Sequence, residues 1–426
     1  MRKILVFLVL LICSPSVFAE ESNFSSTEAP TRFNSIYSYI QNKEYLHALS
    51  ELDNLPDDEN TNVLKARIYY DLQMYDDAKK CLKKVKFQKK DDIENKIKAE
   101  SAFSINTEYS FLVQQLSETY DLNYKKYCLN VNEYGAKNTN VALLYNINSY
   151  NSTKEDHKTT LVNEIQVKIQ SRPIPELEYK IKFGAKFFQW GIGEMLVTDD
   201  WLLYHFNDKF AIKLGFSRTN LEQSYVSAVG DYIENTFVGR VAENQVYIEG
   251  LYSIPEKCYI HTNYAFKVLT GQNLQTNFAS VFSTIIGKEL YDNSNNKFIK
   301  NIVAEFINTT YAYQYNLKNL AEKDGVIYGG YFSPSFYNVS TINVNLKGSN
   351  KKLHLKYGLQ GFVGEQYSLD SSQCSFTWGV APYLTYSLND HVSINVSYKA
   401  YNYADIIQHF FSINAVFKLF RKTKKS

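Results

Sequence analysis

The stretch Val392-Ser393-Ile394-Asn395-Val396-Ser397-Tyr398-Lys399-Ala400 decides the fold. Its even-numbered residues are apolar and its odd-numbered ones polar. Successive side chains of a strand point to opposite faces, so one face is greasy and the other wet. The same period runs outward from it. Phe411, Ile413, Ala415, Phe417 and Leu419 oppose Ser412, Asn414 and Lys418, with Phe420 closing the strand; Leu353, Leu355, Tyr357 and Leu359 oppose His354, Lys356, Gly358 and Gln360. Ile342, Val344 and Leu346 oppose Asn343, Asn345 and Lys347, and Phe210, Ile212, Leu214 and Phe216 oppose Ala211, Lys213 and Gly215. Turn-forming clusters such as Asn389-Asp390, Gly348-Ser349-Asn350 and Asn207-Asp208 separate the runs. A sandwich needs a second apolar layer inside, whereas these wet faces carry Lys, Asn and Gln, as the lumen of a membrane barrel does. The 35 Tyr and 27 Phe of the 426 residues crowd strand ends, where aromatic girdles sit at the two bilayer interfaces. At about 10 residues per strand plus turns, residues 138–420 predict roughly 14 to 16 antiparallel strands.

The first residues belong to targeting. Arg2 and Lys3 form a positive n-region, Ile4 to Ile12 an apolar core and Val17-Phe18-Ala19 a cleavage pattern, so residues 1–19 are expected to be a signal peptide. Ile12 is too bulky for lipidation at Cys13. Past residue 20 no run approaches the roughly 18 apolar residues of a spanning helix, which excludes helical membrane proteins. With 46 Lys and Arg against 44 Asp and Glu, the net charge of +2 implies no nucleic-acid partner. Cys81, Cys128, Cys258 and Cys374 are widely spaced without a CxxC, so no metal and no redox centre is expected. Cys81 with Cys128 is the one pair worth testing as a disulfide, and free thiols are the expectation.

Residues 31–127 read as helical. Asn42-Lys43-Glu44-Tyr45-Leu46-His47-Ala48 recurs as Leu72-Gln73-Met74-Tyr75-Asp76-Asp77-Ala78, and Tyr39 with Tyr69, Leu52 with Leu82 and Leu55 with Val85 keep the spacing of 30. The pattern resembles tetratricopeptide repeats, the second unit starting at Ala66. In that reading Tyr39, Tyr45, Tyr69 and Tyr75 pack against the small residues Ala48, Ala66 and Ala78, which let helices approach closely. Two units fall short of the about three needed for a continuous core, so Ile93 to Leu122 is expected to supply capping helices. Nine lysines between Lys79 and Lys98 read as a solvated helix face. The fold class is thus α + β: helical hairpins at 31–127, a barrel at 138–420, and a basic tail at 421–426.

Three stretches resemble the C-terminal barrel of the BcsC-like family, the outer-membrane exopolysaccharide exporters of bacterial cellulose synthesis. They are Gly215-Phe216-Ser217-Arg218 with Ser224-Tyr225-Val226-Ser227-Ala228-Val229-Gly230-Asp231; Leu269-Thr270-Gly271-Gln272-Asn273-Leu274-Gln275-Thr276-Asn277; and Gly329-Gly330-Tyr331-Phe332-Ser333-Pro334. The resemblance spans about residues 170–420. Thr219-Asn220 stands where the family has Pro-Val, and the repeat region is far shorter than the family's helical solenoid. The resemblance implies an outer-membrane pore that passes a growing exopolysaccharide, with the repeats as a periplasmic scaffold that reaches synthase components.

Even positions face lipid up to Phe216, so Arg218 would enter hydrocarbon at about 2–4 kcal/mol if its strand continued unchanged. It is expected either to turn inward onto Glu222 or Asp231, narrowing the lumen, or to shape the wall as a satisfied arginine. Thr270-Gly271 and Gly329-Gly330 are expected to form tight bends and Pro334 to sit at a bulge or edge. Trp190, Trp201 and Trp378 are lumen candidates for stacking on sugar rings while Asn and Gln side chains bond hydroxyls. Asp199, Asp200 and His205 near Trp201 could be assembled into an acid–base pair, but read as lumen or loop polar residues. No HExxH, G-x-S-x-G or P-loop is present, so neither an enzyme nor a cofactor is expected. The alternatives are a generic porin or protein-export barrel with the same architecture, or a soluble secreted adhesin or an outer-membrane hydrolase.

Overall fold

A computed structural model describes residues 28–419 apart from 86–88, 115–121, 136, 153–158, 190–192, 234, 294, 295, 297, 318–321, 324, 325, 328, 329, 351, 390, 404 and 405. The expected signal peptide and basic tail lie outside this range. Among the described residues five helices come first: α1 (Glu28–Gln41), α2 (Tyr45–Asp53), α3 (Glu59–Asp71), α4 (Tyr75–Lys83) and α5 (Lys89–Glu100). The strands follow as β1 (Phe103–Gln114), β2 (Leu122–Tyr134), β3 (Thr139–Ser152), β4 (Thr160–Ile174), β5 (Leu177–Phe188), β6 (Glu194–His205) and β7 (Phe210–Asn220). After the short helix α6 (Tyr225–Val229) come β8 (Asp231–Ile233), β9 (Thr236–Ile254), β10 (Cys258–Gln272), β11 (Asn277–Asp292), β12 (Ile299–Tyr313), β13 (Glu322–Lys323) and β14 (Val326–Ile327). The chain ends in β15 (Tyr337–Asn350), β16 (Leu355–Ser368), β17 (Gln373–Ser387), β18 (Val392–Tyr403) and β19 (Ile406–Leu419).

Sixteen of these strands form one antiparallel barrel, closed because β1 pairs with both β2 and β19. The short strands β8, β13 and β14 stand outside it, and β7 pairs directly with β9. The alternation behaves as the sequence predicts. Leu214 and Phe216 of β7, Leu359 of β16, Ile394 and Tyr398 of β18 and Ile413 and Phe417 of β19 are exposed on the outer wall. Their neighbours Lys213, Gln360, Asn395, Lys399 and Ser412 face the lumen. Closure leaves no edge strand unpaired, which a lipid environment requires.

The expected boundary moves. Residues 103–114 and 122–127, expected within the helical unit, belong to β1 and β2, and the described helices of that unit stop at Glu100. The period of two was present there, with Ile105, Tyr109 and Phe111 opposing Asn106, Glu108 and Ser110. One capping helix, α5, therefore suffices, because the barrel itself covers the open end of the repeats. Within the helices the spacing of 30 holds to the backbone. Lys43 and Gln73 both adopt φ 62°. The amide of Glu44 donates to the Tyr39 carbonyl, and that of Met74 to the Tyr69 carbonyl, each at 2.8 Å. Ala48, Ala66 and Ala78 are fully buried. Tyr39 meets the His47 ring edge-on at 4.6 Å, and the Tyr45 hydroxyl reaches Asp71 at 3.4 Å.

The helical unit sits on the end of the barrel with short turns, and barrel residues cap its helices. Helices α2 and α4 have no side-chain cap of their own. The carboxylate of Asp208, in the β6–β7 turn, accepts from the amides of Leu46 and His47, both at 2.8 Å. Asn138, in the β2–β3 turn, accepts from the Asp76 amide at 2.9 Å and donates to the Asp77 carboxylate at 2.7 Å. Tyr134 of β2 adds a ring contact with Tyr75 at 4.9 Å and a hydrogen bond to the Gln73 carbonyl. These bonds satisfy first-turn amides that would otherwise lack partners. Cys81 on α4 and Cys128 in the β2 wall do not pair, and all four described cysteines are free thiols.

Candidate functional site

At the opposite end the described residues of two long connections, 221–235 and 314–336, fold into the lumen. The first carries α6, started by a capping box in which Ser224 and Ser227 bond reciprocally. Leu221, Tyr225, Ala228 and Val229 are buried, the last three against Tyr150, Val162, Phe188 and Met195 of the wall. The Tyr225 hydroxyl meets Thr160 at 2.8 Å, and Asn220 donates to the Ala228 carbonyl at 2.8 Å. Glu222 is the charged anchor. One of its carboxylate oxygens takes the Lys186 ammonium at 2.8 Å and the Tyr150 hydroxyl at 2.6 Å. Burial pushes this carboxyl up, but Lys186 and the Tyr150 hydroxyl outweigh burial and hold it below the usual carboxylate range.

The second and third motif stretches supply the other side of this plug. Gly271 marks a bulge, the register of β10 against β9 shifting between Thr270 and Gln272. Asn273, at φ 51°, donates to the Phe237 carbonyl at 2.8 Å. Asn277 is fully buried, and its side chain donates to the Tyr315 carbonyl and accepts from the Tyr315 amide. Ser333 accepts from the Leu317 amide at 2.7 Å, and the Pro334 carbonyl takes the Tyr313 amide at 3.3 Å just before β15 begins. Gly330 has φ 62° and Tyr331 is buried among Leu269, Tyr313 and Leu317. The two connections meet where the Phe332 amide donates to the Gln223 side chain at 2.9 Å. Gly230, at φ 84°, has the Phe237 ring where a Cβ would stand; Gly239, at φ 106°, has the Val226 carbonyl only 2.2 Å from that position. The 221–235 connection could not seat as it does with a side chain at either position.

Several candidates fall elsewhere. Arg218 does not turn inward: β7 pairs regularly through Asn220, so Arg218 keeps the outward parity of Phe216. It is satisfied on the outer wall near the strand end, donating to the Asn244 side chain at 2.7 Å and to the Leu196 carbonyl at 3.1 Å. Asp231 instead opens the β8–β9 hairpin opposite Val238 and accepts from the Tyr232 amide. Trp378 is paired with Val363 and flanked by the exposed Phe376 and Leu384, which places it on the outer wall. Trp201 does face the lumen, with Lys180 and Lys213 5.6 and 5.4 Å from its ring centre. Asp199 beside it pairs with Lys180 at 2.5 Å, while Asp200 faces outward and accepts from Thr198 and the Lys182 amide. The two acids thus lie on opposite faces. Trp190 and Gly329 lie outside the described residues. Sequence reasoning missed Lys186 and Tyr150 as partners of Glu222, although the alternation Lys180, Lys182, Gly184, Lys186 already put that lysine on the wet face.

Residues 187–381 match the family model described as the cellulose synthase operon protein C C-terminus. Among solved structures, a bacterial polysaccharide outer membrane secretin aligns at 11% identity and a TM-score of 0.55, covering 75% of this chain and 99% of that one. CdiB from Acinetobacter baumannii aligns at 8% identity and a TM-score of 0.44, over 74% of this chain and 60% of that one. Pseudomonas aeruginosa OccK5 (OpdH) aligns at 10% and 0.38, over 75% and 99%. No curated protein matches the chain by sequence. Fold and family match agree on an outer-membrane β-barrel whose residues 187–381 match the model of the cellulose synthase operon protein C C-terminus.

Proposed function

We propose that this protein is a non-enzymatic outer-membrane pore through which an exopolysaccharide leaves the periplasm. The observation that carries the reading is the plug: Ser224 to Asp231 of the first family-like stretch and the described residues of the other two meet at two inward loops at one end of a hydrophilic lumen. Long loops of such barrels face the exterior and short turns the periplasm, so the plug would close the outer mouth and the helical unit would hang below the inner one. There its exposed lysines on α4 and α5 would meet components of the polymerising machinery. The lumen carries aromatic faces and amide side chains, which suit sugar C–H faces and hydroxyls. The shared fold with a polysaccharide outer membrane secretin is consistent with this.

The test is efflux from proteoliposomes loaded with labelled oligosaccharides and, separately, with labelled unfolded peptides. Release of the oligosaccharides in preference to the peptides supports the reading. Release of peptides alone would favour the protein-export alternative.

A further inference from the structure

Several lumen lysines of β5, β7 and β10 have an acid beside them. Lys180 pairs with Asp199, Lys186 with Glu222, Lys213 with Glu249 and Lys267 with Glu243, at 2.5–3.1 Å. Lys168 and Lys182 have no acid within ion-pair distance among the described residues, and the same holds for Lys347 and Lys399 in the wall formed by β12 and β15–β18. It holds a hollow of about 410 Å³ lined by Tyr311, Phe362, Tyr401, Gln360, Asn343 and Lys399, among others. That volume lies within the range of about 300–1,000 Å³ usual for small-molecule sites. A second hollow of about 590 Å³ continues from it, sharing Gln360 and Lys399 and adding Lys347 and Glu305.

Two observations in this groove call for a ligand. The Asn343 side-chain oxygen is buried and has no hydrogen-bond partner among the described residues, a costly state that a hydroxyl donor would relieve. The Lys399 ammonium stands over the Tyr401 ring at 4.4 Å with no carboxylate within ion-pair distance among the described residues. Lys347 likewise has none among them. The acid in the groove, Glu305, already accepts from the Tyr259 hydroxyl at 2.5 Å and from Asn345 at 2.9 Å. The aromatic faces, the amides and the open acceptor fit a sugar ring; the unneutralised lysine fits an anion on it.

We propose that the groove centred on Lys399 is a glycan subsite and that the polymer it serves carries acidic groups, carboxylate, sulfate or phosphate. This rests on the reading of the barrel as a polysaccharide pore and narrows its substrate class. Lys399 supplies the charge recognition, Asn343 takes a hydroxyl, and Phe362 and Tyr401 provide the stacking faces.

The experiment is calorimetric titration of the full chain in detergent with length-matched neutral cello-oligosaccharides and oligogalacturonides, for wild type and Lys399→Gln. We expect wild type to bind the acidic oligosaccharide at least tenfold more tightly, the preference to shrink with added salt, and Lys399→Gln to reduce it to within about twofold. Phe362→Ala should weaken both ligands alike. Equal or tighter binding of the neutral oligosaccharide overturns the acidic-polymer proposal and leaves the pore reading standing. An acidic preference that survives in Lys399→Gln overturns the assignment of the site. Binding of neither class would sink both this proposal and the polysaccharide reading beneath it.

Discussion

Glu222 concentrates the account at the scale of one side chain. It is the carboxylate of the 221–235 connection that reaches the wall lysine Lys186, and it holds the loop in the lumen by a charge pair and a tyrosine hydroxyl. Removing one partner of a buried pair costs about 3–5 kcal/mol, and since the Glu222 side chain keeps 31% of its surface accessible the lower end applies. Glu222→Ala should therefore shift the closed-to-open ratio of the plug by about a hundredfold. An open probability in planar bilayers equal to that of wild type would show that the pair does not hold the loop. Acid should act in the same direction. The Glu222 carboxyl is depressed in the closed state, so its contribution is present above the ordinary carboxylate value of about 4 and is lost as pH falls through its lowered value. Wild-type channels should open on acidification below that range, and Glu222→Ala channels should be indifferent to it.

Among the elements, the repeats and the strands were legible to different depths. The strand faces could be read residue by residue, because a period of two leaves no ambiguity about which side chains share a wall. The repeat spacing of 30 was equally plain, and Lys43 and Gln73 carry it into the backbone. What could not be read was the junction. The alternation of β1 is weak, with Thr107 among its outward residues, and it follows directly on a lysine-rich helix. Of the two places expected for Arg218, the structure takes the satisfied arginine in the wall, whereas Trp378, a lumen candidate, faces outward; in both cases the register keeps the strand's parity. The caps of α2 and α4 were invisible in the helices' own sequence, since Asp208 and Asn138 come from turns far along the chain. That dependence is testable. Asp208→Ala should remove about 0.5–2 kcal/mol from the start of α2, read as faster hydrogen exchange at the Leu46 and His47 amides with α4 unaffected. Unchanged exchange at those amides would mean that the barrel turn does not cap the helix.

As a whole the molecule is polarised along the barrel axis. One end carries helices fastened by barrel turns; at the other, two connections fold inward on the glycines, amides and hydroxyls of the family-like stretches. On the proposed reading, such loops would keep the lumen from leaking while no polymer occupies it. The most direct measurement is the single-channel conductance of the full chain in planar bilayers, with Glu222→Ala beside wild type, as oligosaccharides of increasing length are added. We expect stable channels in the variant, mostly closed ones in wild type, and blocking events whose duration grows with oligosaccharide length. Channels indifferent to every oligosaccharide would contradict the polysaccharide pore, and failure of the protein to insert would contradict the membrane barrel itself.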